Sequence, residues 1–206
     1  MYSPRDLFKG FRNPRKAGRE LNKIIHTRGG KYEYNPYGVA VLEEDWDNLV
    51  ILDACRYDAF ADLADLPGQL ESRFSKGSAT YNFIRANFSG KSAHDTVYVS
   101  ANAWFLKLKN EIDAEVHDFI DLQYGDKDVE WAHEELVAVT PETVTDAALD
   151  ANEEYPQKRL IIHYLQPHHP FIGPTGRKYF DQQSTSLIDV VDVNNCSDDL
   201  LWRAYE

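Results

Sequence analysis

Cysteine is nearly missing from this chain of 206 residues, which holds only Cys55 and Cys196. Two thiols are too few for a disulfide scaffold, and neither has the C-x-x-C spacing of a zinc or redox motif. Long apolar runs are also lacking. Runs such as residues 49–52 and 160–162 fall far short of the ~20 residues that cross a bilayer. The opening MYSPRDLFKGF has no continuous apolar segment of the secretory kind. Lysine is scarce, at eleven. These shortages predict a soluble, cytoplasmic protein. What is present suits one globular domain with a sizeable core: 43% hydrophobic, 13% aromatic and 27% charged residues.

Charge is distributed unevenly. The net charge is −12, from 22 Lys and Arg against 34 Asp and Glu. Residues 1–30 carry eight basic side chains and only two acidic ones, so the other 176 residues hold 14 basic against 32 acidic. Phosphate contacts need positive charge, so a body this acidic excludes nucleic acid as the main partner. Dense surface carboxylates and few lysines suit a high-salt cytoplasm. Residues 1–30 read as a basic arm. Arg15 to Thr27 can form a helix with Leu21, Ile24 and Ile25 along one side, ended by Gly29-Gly30. Packing on the domain is its commoner meaning, and peripheral contact with an anionic membrane surface the rarer one.

From Asp47 onward the pattern is that of an α/β domain, and residues 31–206 are taken as that domain. Asn48 to Leu52 is a short apolar run of the kind buried on both faces of a sheet. Helices are predicted over 56–66 and 78–88, the second closed by Ser89-Gly90. Strands are predicted over 96–100, more weakly over 116–120, and over 159–165. Thr140-Pro141-Glu142 starts a helix that runs to about Glu154. Ser197 can cap one more helix near the chain end. Strands alternating with helices predict a mainly parallel sheet sandwiched between helices, with Leu49–Leu52 and Leu160–Ile162 as central strands.

In such sheets chemistry sits beyond the carboxyl ends of the strands. Three segments fall there. Asp53-Ala-Cys-Arg56 follows the first strand, and Asp53 can bind a metal or, more commonly, cap the next helix. Ser75-Lys-Gly-Ser-Ala-Thr80 leads into a helix, where small hydroxyl residues make either an anion site or an ordinary cap. It is neither a P-loop nor a nucleophile elbow. The third segment, His163 to Pro174, holds His163, His168 and His169 within seven residues, and histidines there can ligate a metal or bind an anion.

Together these segments resemble the alkaline phosphatase superfamily, which contains the sulfatases and the nucleotide pyrophosphatase/phosphodiesterases. Asp53 after an apolar strand is similar to its first metal-binding Asp. Thr80, with Ser89-Gly90 nine residues on, is similar to its nucleophile helix. His168-His169-Pro170-Phe171 resembles the Pro-His-x-Pro-aromatic segment of sulfatases. Three features depart from the family. Ala54 stands where sulfatases usually have a second Asp, the Cys-x-Pro-Ser-Arg formylglycine signature is absent, and no later Asp-His-Gly or Asp-Asn-Gly completes a metal site. On this resemblance the chain looks like the N-terminal two-thirds of such an enzyme.

The resemblance implies a metal-dependent hydrolase or transferase acting on phosphate or sulfate esters. Thr80 is the implied nucleophile. Asp53, Thr80 and His168 are the implied ligands of one divalent ion (zinc, calcium, magnesium or manganese). Arg56, Lys76, Ser78 and His168 are the implied contacts to an anionic ester substrate. The competing expectation is a truncated, inactive relative serving as a binding module or as a membrane-surface adaptor through residues 1–30.

Overall fold

The structure, a computed structural model, describes residues 34–123 and 138–180, together with Leu200, Arg203 and Ala204. The basic arm of residues 1–30 and the helix expected from Ser197 lie outside the described residues, those three positions apart. Four strands form one all-parallel sheet: β1 (Asn48–Leu52), β2 (Ser92–Ser100), β3 (Glu115–Asp121) and β4 (Arg159–Tyr164). Their spatial order is β1-β4-β2-β3. Leu49 pairs with Ile161, and Tyr98 pairs with the same Ile161 from the other side. The helices are α1 (Tyr57–Leu63), α2 (Thr80–Phe88), α3 (Trp104–Leu108), α4 (Pro141–Glu154) and α5 (Pro174–Tyr179). The chain is thus of the α/β class. Among the described residues no helix is long and apolar enough to cross a membrane.

Side chains alternate across each strand, and that alternation sorts the core into two clusters. On one face, Tyr98 and Ile161 pack with Ile84 and Phe88 of α2 and with Phe105 and Leu108 of α3. On the other, Val97, Val99 and Leu160 pack with Val144 and Ala151 of α4. Val144, Ala148 and Ala151 recur at helical spacing, so α4 buries a single stripe. Thr140 caps α4 by accepting the Thr143 N–H at 3.4 Å, and Pro141 occupies the first helical position.

Two expectations change. β4 is central, but β1 ends the described sheet, and Val50 is 53% exposed. The reason lies in α4, which packs across β2 and β4 and so leaves the Val50 side of β1 beyond its cover. The helix expected over 56–66 stops at Leu63, and the one expected from Ser78 starts at Thr80. Two short helices, α3 and α5, have no counterpart in the sequence reading.

Candidate functional site

The site forms where β1, β2 and β4 deliver their carboxyl ends beside the start of α2. β1 stops at Leu52 and the chain turns at once: Ala54 has φ +62°, a left-handed conformation uncommon for a residue with a Cβ. That turn places Asp53 at the strand end, where its N–H donates to the Tyr164 carbonyl of β4 at 3.2 Å. Its carboxylate is largely enclosed, with 12% of the side chain exposed.

The loop before α2 is pressed close to the helix. A Cβ on Gly77 would meet the Phe83 nitrogen at 2.4 Å, so only glycine fits there. Ala79 is the N-cap residue, and no side chain caps the helix. Thr80 is the first helical residue. Its hydroxyl lies 2.8 Å from Oδ2 and 3.0 Å from Oδ1 of Asp53, across 27 residues of sequence. The commoner meanings of both residues are therefore set aside. Asp53 caps no helix, since Arg56 holds the N-cap position of α1, and Thr80 turns its hydroxyl to a carboxylate.

Asn102 supplies a second donor. Just beyond β2, its Nδ2 donates to Asp53 Oδ2 at 2.8 Å, while its Oδ1 accepts the Trp104 N–H at 3.0 Å and so starts α3. The sequence reading missed it, having ended its strand at Ser100. The available signal was position alone: an amide side chain just past the carboxyl end of a parallel strand.

The three histidines of the last segment do three different jobs. His168 docks by its backbone, donating its N–H to the Asp53 carbonyl at 3.0 Å. Its ring Nδ1 lies 2.5 Å from the His169 carbonyl oxygen. His169 is buried and packs edge-on against Phe171. His163 lies within β4, 1% exposed, beneath Asp53. Its Nδ1 is 2.8 Å from the Tyr98 hydroxyl, and its Nε2 is 3.8 Å from Asp53 Oδ2. Burial pulls the His163 pKa down to about 4, against the opposing pull of the Asp53 charge. The ring is therefore neutral near pH 7, and the 3.8 Å approach is not an ion pair. Burial, with Asp53 second, pushes the Tyr98 phenol far up, so its hydroxyl stays protonated.

The expected anion contacts are more dispersed. Arg56 is exposed and forms a surface ion pair with Asp58 of α1. Lys76 is half-buried, with its backbone against Gly38. Ser78 is exposed in the bend before α2. The structure thus brings together Asp53, Thr80, His163 and the backbone of His168, and adds Asn102. Among the described residues no group of three His, Cys, Asp or Glu side chains gathers to hold a metal ion.

Chemically, the arrangement is a hydroxyl held by an ionisable carboxylate at a strand end, next to a helix N-terminus without a side-chain cap. Comparison with known proteins finds no matching family model, no matching curated protein and no matching solved structure.

Proposed function

We propose that the protein is a hydrolase or transferase of phosphate or sulfate esters, of the alkaline phosphatase-like kind, with Thr80 as nucleophile. The observation that carries this reading is the pair of contacts, 2.8 and 3.0 Å, between the Thr80 hydroxyl and the Asp53 carboxylate. A threonine that merely packed or capped would have no need of a nearly enclosed carboxylate. With its hydrogen directed at Asp53, Thr80 Oγ1 keeps its lone pairs for attack on phosphorus or sulfur. The new Oγ1–P or Oγ1–S bond forms as the bond to the alcohol oxygen breaks; the hydroxyl proton passes to Asp53, and the departing alkoxide takes a proton from solvent water. Asn102 holds Oδ2 in place meanwhile. Water then cleaves the threonine ester.

The donor set fits a hard divalent cation in kind: a carboxylate and a hydroxyl oxygen from Asp53 and Thr80, with the imidazole of His168 on the adjoining segment. When bound, such an ion lowers the hydroxyl pKa and stabilises charge developing on the ester. A second reading, a non-catalytic anion-binding relative, is favoured by the lack of a three-residue ligand cluster among the described residues.

One experiment separates the two. The purified chain is assayed with p-nitrophenyl phosphate, bis(p-nitrophenyl) phosphate and p-nitrophenyl sulfate, with magnesium, manganese, calcium or zinc added. Only weak metal-dependent turnover is expected, since no Asp-His-Gly or Asp-Asn-Gly segment completes the ligand set in this sequence, with an intact-mass adduct on Thr80 that disappears in Thr80→Ala. Phosphate binding by calorimetry without any turnover would leave the binding module as the better account.

A further inference from the structure

Beneath Asp53 lies a buried pair that the proposed chemistry has not used. Tyr98 and His163 are 0% and 1% exposed, and their rings stack at 6.1 Å between centroids. His163 Nδ1 is taken up by the Tyr98 hydroxyl. His163 Nε2 has no hydrogen-bond partner among the described residues, although it is enclosed. A buried polar nitrogen without a partner costs free energy and calls for a reason. The group it faces is Asp53 Oδ2 at 3.8 Å, beyond hydrogen-bond length. His163 Nε2 is itself enclosed, so solvent water does not reach it. A shift of under about 1 Å by the carboxylate would close it to ordinary hydrogen-bond length.

The tautomer follows from chemistry. A bare Nε2 lone pair facing a carboxylate oxygen would be repelled, whereas an Nε2–H is attracted. The protonated phenol of Tyr98 donates to Nδ1, which leaves the imidazole hydrogen on Nε2. In the resting site Asp53 already accepts from Thr80 and Asn102. When the Thr80 hydrogen passes to Asp53 at Oδ1, Oδ2 loses the Thr80 donor and keeps only Asn102.

We propose that His163 is a positioning residue, held as the Nε2–H tautomer by Tyr98, whose N–H bonds to Asp53 when Thr80 ceases to donate. The chemical use of this part rests on the ester-transfer reading, but the hydrogen-bond exchange itself does not. Substitution alone can mimic the loss of the Thr80 hydrogen, since Thr80→Val keeps the shape and removes the hydroxyl.

The test is an imidazole 1H–15N spectrum of the 206-residue chain, without metal or substrate, with His163 assigned through His163→Gln. In the wild type Nε2 is expected to be protonated and its proton only weakly shifted. In Thr80→Val that proton is expected to move downfield as it engages Asp53. Tyr98→Phe, which keeps the ring and removes the hydroxyl, is expected to mix the two tautomers. In turnover, His163→Gln is expected to lower kcat about 10- to 100-fold with KM little changed, the sign of an interaction made only after Thr80 reacts. A bare Nε2 in the wild type overturns the proposal, and so does an Nε2–H resonance unmoved in Thr80→Val. Absence of turnover in the wild type overturns the ester-transfer reading instead, while the spectra still decide the exchange. Should His163→Gln fail to fold, Tyr98→Phe and Thr80→Val carry the assignment by difference.

Discussion

On the face covered by α4, the sheet presents Val97, Val99 and Leu160, and the fully buried residues meeting them are aliphatic. On the face covered by α2 and α3, it presents Tyr98, Phe119 and Ile161, backed by Phe88 and Phe105, with His163 stacked beside Tyr98. The fully buried part of the first face is held by burial and shape. Its tyrosines keep their hydroxyls at the edge, Tyr164 on Thr145 and Tyr155 on Asp118. The second face buries a phenol and an imidazole that must find partners, and it supplies them directly under Asp53. Function and packing share atoms on one side of the sheet and are separate on the other. Substitutions on the two faces should therefore damage different properties.

The largest expected effect is on turnover. Thr80→Ala should reduce ester cleavage by about 10³-fold or more, since it removes the attacking atom. Leu160→Ala should leave turnover per folded molecule within about threefold, because its side chain packs on the face of the sheet opposite Tyr98. Equal losses in the two variants would erase the functional difference between the faces.

Stability comes next. Phe88→Ala should cost about 3–5 kcal/mol and Leu160→Ala about 2–5 kcal/mol in urea unfolding, because both leave cavities in closed packing. Similar costs would show that the faces contribute comparably to stability even though only one serves the site.

The faces should also part company in acid. For His163 the folded pKa is about 4 against an ordinary 6.5, so the unfolded chain binds the proton first as pH falls. Its contribution is thus fully present above about 6.5 and is lost as pH drops through about 4, a difference of roughly 3 kcal/mol. In metal-free protein, His163→Gln should flatten the stability profile over that window. A slope identical to that of the wild type would place the acid-sensitive group elsewhere.

The smallest effect sharpens the site itself. Ala54→Gly should stabilise the fold by roughly 1 kcal/mol, since glycine adopts the left-handed turn after β1 without strain. Loss of stability would mean that the Ala54 methyl group matters more than its backbone.

Much of this frame was legible in the sequence. Asn48–Leu52 and Arg159–Tyr164 are apolar runs of strand length, and Thr140-Pro141 marks a helix start by cap chemistry alone, so β1, β4 and α4 could be read locally. Gly90, at φ +64°, closes α2 at the Ser89-Gly90 stop that is visible in the sequence. By contrast, α3 has five residues, too few for a periodic pattern to show. α5 begins at Pro174 and contains Gly176, a composition that reads as loop. Asp53, Thr80 and His168 were each visible as candidates. Asn102 and Tyr98 were not, because an asparagine after a strand and a tyrosine within one carry no local mark of use.

The sequence by itself determined the class of the fold and the order of its elements, because hydrophobic period, cap residues and glycine stops act over a few neighbours. It also determined that a carboxylate would stand just past one strand and a hydroxyl at the head of one helix. Only the tertiary structure decided that these two meet. The strand order β1-β4-β2-β3 sets β4 between β1 and β2 and lets Asp53 meet Asn102 from 49 residues away. It likewise decided the state of His163, whose neutrality comes from enclosure by neighbours far apart in the chain. Hydrogen bonds and desolvation depend on distances of a few ångströms between segments, and those distances exist only once the sheet has assembled.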